Sequence, residues 1–177
     1  MDSESLRALQ APIKDHYRAE PAAALITLTA SGKVDDPEGV SCSVETGRAL
    51  VKAGLHPATG GDGTLACSGD MLLQALVACA GVTLRSVATA KGIALRGGTL
   101  HAEGDLDFRG TLGVDRDTPV GFKSIRLRFD LDADATSDEI ASLQKLTERY
   151  CVVYQTLASG VKPEVEFRVG PPLGASH

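Results

Sequence analysis

Apolar and polar positions change period several times along the chain, and each change marks an element. Residues 24–30 are β-branched and apolar and read as a strand. After the turn Asp35-Asp36-Pro37-Glu38-Gly39, residues 40–46 set Val40, Cys42 and Val44 against Ser41, Ser43 and Glu45, the period of a half-buried strand. Gly47 turns the chain into a third strand over 49–55. A Gly-rich loop over 57–68 then leads into Met71-Leu72-Leu73-Gln74-Ala75-Leu76-Val77-Ala78-Cys79-Ala80-Gly81-Val82-Thr83-Leu84, which is apolar nearly all round. A surface helix shows a polar stripe, so this pattern predicts a helix buried on most sides. Ser68 is placed to cap it, Asp70 sits in its first turn, and Gly92 stops it after Lys91.

Two further segments, 99–108 and 124–131, alternate with period two and predict strands with one dry face and one wet face. Thr136 and Glu139 have the spacing of a capping box, which opens a helix through Ile140, Leu143 and Leu146 to Tyr150. The pattern changes there, and a second helix is entered at Cys151 and runs through Leu157. Gly160 and Pro163 break it, and 165–169 reads as a last strand. Residues 1–20 are polar with a short helix before Pro21, 21–170 form a single domain, and 171–177 read as a disordered tail. Clustered strands followed by helices point to an α+β fold with a largely antiparallel sheet.

Composition narrows the function. The chain has 177 residues, 43% hydrophobic and 23% charged, with a net charge of -5, which suits one soluble domain with a real core. No basic face appears, so nucleic acid is not an expected partner. The start, Met1-Asp2-Ser3-Glu4, is not a secretory signal, and the apolar run over 71–84 is too short to span a bilayer. These features predict a cytoplasmic protein without membrane partners. Four cysteines in such a compartment argue for buried, catalytic or metal-bound thiols, not a disulfide framework.

The histidines, His16, His56, His101 and His177, have no ligand spacing with the cysteines, and Gly60-Gly61-Asp62-Gly63 lacks the features of a phosphate loop. No metal and no cofactor is therefore expected. Cys42 reads as core filling, Cys67 as loop packing, and Arg109 as a charge at a strand end. Cys79 and Cys151, 72 positions apart, are the candidates for chemistry, although on its residues alone Cys79 reads first as a small core residue and Cys151 is also readable as packing beside Val152 and Val153. Cys151 opens a helix, where the dipole favours a thiolate.

The Gly-rich loop, the Leu/Ala-rich helix carrying Leu76-Val77-Ala78-Cys79-Ala80 and the late cysteine opening a helix resemble the OsmC/Ohr family. The resemblance covers roughly residues 20–170, and Asp105-Leu106-Asp107-Phe108-Arg109-Gly110-Thr111-Leu112-Gly113 places it nearest one subset of members. It implies sheets wrapped around a buried central helix in an intertwined homodimer, and thiol-dependent reduction of organic hydroperoxides at the subunit interface. Cys79 would be the peroxidatic thiol and Cys151 the resolving thiol, with a small-molecule hydroperoxide and a dithiol reductant as partners.

Two departures stand out. Family enzymes pair a glutamate ten positions before the first cysteine with an arginine; here those places fall to Gly69, with Asp70 the nearest carboxylate, and to Lys33. Lysine does not reproduce the forked contacts of a guanidinium. Val152 also follows Cys151 where the family usually has proline. Gly69 and Lys33 motivate a second reading, a non-enzymatic protein of the same fold holding a small apolar or thiol-reactive ligand.

Overall fold

The computed structural model describes residues 50–112 and 115–167, the short pieces 2–5, 32–33 and 41–45, and the isolated residues 8, 11 and 19. The strand expected over 24–30, the tail over 171–177 and most of the N-terminal segment lie outside the described residues.

Strands β1 (Gly32–Lys33), β2 (Ser41–Glu45), β3 (Leu50–Gly54) and β4 (Ala66–Cys67) form one sheet in that order. β1, β2 and β3 are antiparallel, and β4 joins β3 in parallel through Ala53 and Gly54. Helix α1 (Ser68–Lys91) follows directly. Strand β5 (Ala94–Leu106), a short helix α2 (Phe108–Thr111) and strand β6 (Phe122–Asp134) make a long antiparallel hairpin. Helices α3 (Ser137–Tyr150) and α4 (Val152–Ser159) complete the described fold. The α+β architecture and the central helix agree with the sequence pattern.

The elements form for local reasons. The Thr136 hydroxyl accepts from the Glu139 backbone N–H, and the Glu139 carboxylate accepts from the Thr136 N–H at 2.8 Å, so both halves of the capping box are present. Gly92 takes φ 71°, a left-handed turn that ends α1 and lets its N–H bond back to Ala88 and Thr89. Leu76, Ala80, Leu84 and Ala88 recur every fourth residue and form the buried stripe of α1. Leu84, Ala88, Ile93 and Leu143 make the core, with Phe129 and Leu131 of β6 packed against it.

Four expectations are corrected. First, α1 is not buried on most sides in this chain. Its one buried stripe meets β5, α3 and α4, while Val82 is 73% exposed, because a single chain supplies cover on one side only. Second, α1 is 24 residues long, with a mean hydropathy of 1.6 over its most apolar stretch, and is thus long and apolar enough to cross a membrane. Its stripe packs into the core of the fold instead.

Third, Ser68 is the first helical residue and not the cap; Cys67 holds the cap position, and its side chain makes no capping bond. Fourth, residues 165–167 form no strand. Val165 and Phe167 stand exposed, and no neighbouring strand among the described residues takes their backbone groups; 168–169 lie outside the described residues. Strand β6 outruns its expected limits at both ends, whereas β5 starts earlier than expected, carried through Gly97 and Gly98 by pairing of Ala94 with Asp134, and stops at Leu106, with Phe108 in α2 instead of the strand.

Candidate functional site

Two local features of the sequence bring Cys79 and Cys151 together. The α1 stripe presses its middle against α3 and α4, and Cys79 lies one position before the fully buried Ala80. The break between α3 and α4 puts Cys151 at the shared cap, extended at φ -74° and ψ 108°, with its side chain free of any capping bond. The first backbone N–H groups of α4 have no partners inside their own helix. They point at Cys79.

The backbone N–H groups of Val153 and Val152 donate to the Cys79 sulfur, as do the Cys151 thiol and the Thr83 hydroxyl one helical turn further along α1. Burial raises the pKa of Cys79, but these donors outweigh it and hold the thiol below its ordinary value. The leading influences on Cys79 include no cation; neutral donors stabilise this thiolate. Cys151 behaves in the opposite way. Burial, at 1% exposure, pushes its pKa up, and its role as donor to Cys79 pushes it further. Both thiols are free. The N-terminus of α4 serves both thiols: the backbone N–H groups of Tyr154 and Val153 pull the Cys151 pKa down, as the sequence led one to expect, but burial and the neighbouring Cys79 outweigh them.

Electrostatically the pair is polarised. At a pH between the two thiol pKa values, Cys79 carries the negative charge and Cys151 keeps its proton. One nucleophilic sulfur lies against one protonated, buried sulfur, with the oxygen of Thr83 beside them. Such a pair can attack an electrophilic oxygen and then close a disulfide.

Of the supporting candidates, Asp70 lies apart from this pair. Asp70 is exposed in the first turn of α1, nine residues before Cys79, about 13 Å along the axis at 1.5 Å per residue. It lines a separate hollow with His56, Cys67 and Asp105. A side chain at position 69 would grow toward Phe122, Cys67 and Leu106, so within one chain it also misses Cys79. Lys33 is the second residue of β1, in register with Ser43. Among the described residues no cluster of side chains suits a metal ion.

Sequence reasoning missed Thr83 and the two valine N–H groups. Thr83 had a signal, its place four residues after Cys79 on the same helix face. The N–H groups had one too, in the restart of the helix at Cys151, but nothing local says which sulfur they face.

Solved structures share this fold. An OsmC-like protein from Mycoplasma pneumoniae is 17% identical, with a TM-score of 0.61 over 75% of this chain and 88% of its own. An organic hydroperoxide resistance protein OsmC from Legionella pneumophila is 18% identical, with a TM-score of 0.58 over 75% of this chain and 91% of its own. A third, a putative organic hydroperoxide resistance protein from Vibrio cholerae O1 biovar eltor with captopril bound in one of its active sites, is 18% identical. Its TM-score is 0.51 over 76% of this chain and 87% of its own. No curated protein matches the chain. The family model for OsmC-like proteins matches residues 61–166, more than half the chain, from within the Gly-rich loop to beyond the end of α4. The protein belongs to the OsmC-like family.

Proposed function

We propose that the protein is a thiol peroxidase that reduces organic hydroperoxides through Cys79 and Cys151. The observation that carries this reading is the contact between a thiol held below its ordinary pKa and a second, protonated thiol. The organic hydroperoxide resistance proteins among its structural neighbours support the same chemistry. The Cys79 thiolate attacks one peroxide oxygen, an S–O bond forms, and the O–O bond breaks. The departing alkoxide takes a proton and leaves as the alcohol, and Cys79 becomes a sulfenic acid. Cys151 then attacks the Cys79 sulfur, the S–S bond forms, and the hydroxyl leaves as water. A dithiol reductant restores both thiols by exchange. Such a cycle suits a reducing compartment, the cytoplasm.

The site works at an interface between two copies. Leu72 at 38% and Val82 at 73% exposure leave an apolar face of α1 open, a face of the kind that marks a partner surface. A second copy laid on that face also supplies the nearest route by which Lys33 or a residue near position 69 reaches Cys79. Val82→Asp should shift the sedimentation coefficient from dimer to monomer and make the urea midpoint independent of protein concentration. A dimer undisturbed by that charge would place the interface elsewhere.

Activity is tested by following consumption of cumene hydroperoxide with dithiothreitol or a monothiol as reductant. Dithiothreitol should sustain turnover, and Cys151→Ser should remove most of it while leaving one oxidation of Cys79 per subunit. The pH dependence follows from the site. The thiolate fraction of Cys79 grows as pH rises through its lowered pKa, so activity rises with pH and levels off below the ordinary thiol range. Consumption no faster than in buffer, with both thiols reduced, would favour the non-enzymatic reading.

A further inference from the structure

Behind Cys151 lies a cavity of about 320 Å³, room for about ten waters by volume. Most of its wall is apolar, with Ala80 and Leu84 of α1, Phe129 and Leu131 of β6, and Leu143 of α3. Cys151 lines it, and Cys79 is not among its lining residues. Arg128, Gln144, Glu148 and Tyr154 also line it, with Arg128 paired to Asp130 at 3.0 Å and the Gln144 amide donating to Glu148 at 2.8 Å, so neither sign of ion is selected.

One polar group of the wall is buried without a partner among the described residues. Thr147 is 3% exposed, and among the described residues its hydroxyl oxygen has no hydrogen-bond partner. A threonine inside a helix ordinarily satisfies that hydroxyl on the carbonyl one turn back, as Thr156 does here with the carbonyl of Val152 at 2.9 Å. Thr147 does not. A buried hydroxyl without a partner is costly, and a native fold keeps one where something else completes it.

We infer that this cavity is a binding site for a small neutral aliphatic molecule with one hydroxyl or carbonyl end, the chain lying against Leu84, Phe129 and Leu143 and the polar end bonded to Thr147. The size of the cavity is that of a ligand pocket, and its make-up, a mainly apolar wall with a few polar groups, is what such pockets use. The proposal does not rest on the peroxidase reading. It places a ligand against the buried thiol and away from the sulfur that meets peroxide.

The test is a titration of the full chain with 1-hexanol and with 1-chlorohexane, which has a similar chain and no hydroxyl, followed by the methyl NMR signals of the leucines. The wild type should bind 1-hexanol, with the shifts centred on Leu84, Leu131 and Leu143. Thr147→Val keeps the shape and removes the hydroxyl. It should weaken 1-hexanol by about fivefold, the range of one buried hydrogen bond, and leave 1-chlorohexane unchanged. Its melting temperature should not fall, since no bond within the chain is lost. Leu131→Phe fills the cavity and should weaken both probes. No binding to the folded wild type, including the case where a second copy fills the space, would overturn the proposal. So would 1-hexanol bound equally well by Thr147→Val.

Discussion

Cys79→Ser should cut organic hydroperoxide consumption by about a thousandfold or more, the scale on which enzymes lose rate with their nucleophile. The reason lies in the donors around its sulfur. Val152, Val153, Thr83 and Cys151 all direct hydrogens at that atom, and their combined effect exceeds the burial that would keep the thiol protonated. A serine hydroxyl in the same place meets the same donors but does not ionise near neutral pH, so no nucleophile forms. The fold should survive, because serine fits the space of a half-buried cysteine. Cys151→Ser should differ in kind: the first oxidation proceeds, the sulfenic acid persists, and a dimedone-type trap labels Cys79. The rate of hydroperoxide loss and the mass of the trapped protein check both halves. If Cys79→Ser turned over at the wild-type rate, the reacting group would be another one, and the polarised pair would have to be read as packing.

The largest loss of stability should come from Leu143→Ala. Leu143 is 1% exposed in the core with Leu84, Ala88 and Ile93. It also forms part of the cavity wall, so removing its side chain enlarges an existing void. A void that the walls do not collapse into carries the cavity cost as well as the transfer cost, and large-to-small changes of this kind lose about 3 kcal/mol or more. Urea unfolding at one fixed protein concentration reads the change, since association of copies would otherwise contribute. Val82→Ala separates the contribution of the second copy from that of the single-chain core. Its side chain is exposed in one chain, so it should cost less than about 0.5 kcal/mol in a monomer. A larger loss that grows at high protein concentration would show that the second copy covers it.

The sequence pattern carried most of the described fold because its elements are locally marked. Gly92 ends α1, Thr136 and Glu139 open α3, and alternation over Leu127, Phe129 and Leu131 sets one face of β6 inward. What it missed depended on partners. Gly97 and Gly98 lie in a strand because β6 pairs with them, not because glycine favours one. Val165 and Phe167 have strand character but no neighbour in the described chain, so the character alone makes no strand.

The site divides in the same way. Cys79 and Cys151 were legible as residues, and the helix break at Cys151 was legible as a place. Their contact was not, since 72 positions separate them and only the packing of α1 on α4 closes that gap. The source of thiolate stabilisation was also hidden. Sequence directed attention to charges, Lys33 and Asp70, whereas the donors are uncharged, and two are backbone groups that no residue type reveals.

The central claim is that these two thiols act as one redox pair, and peptide mass mapping after one equivalent of cumene hydroperoxide tests it most directly. The reduced protein is oxidised, alkylated to block remaining thiols, digested and analysed without reduction. The account predicts one linked species joining the peptide of Cys79 to that of Cys151, with Cys67 recovered alkylated and the link reversed by dithiothreitol. Cys79 and Cys151 both recovered alkylated, or Cys79 linked to Cys67 instead, would contradict it.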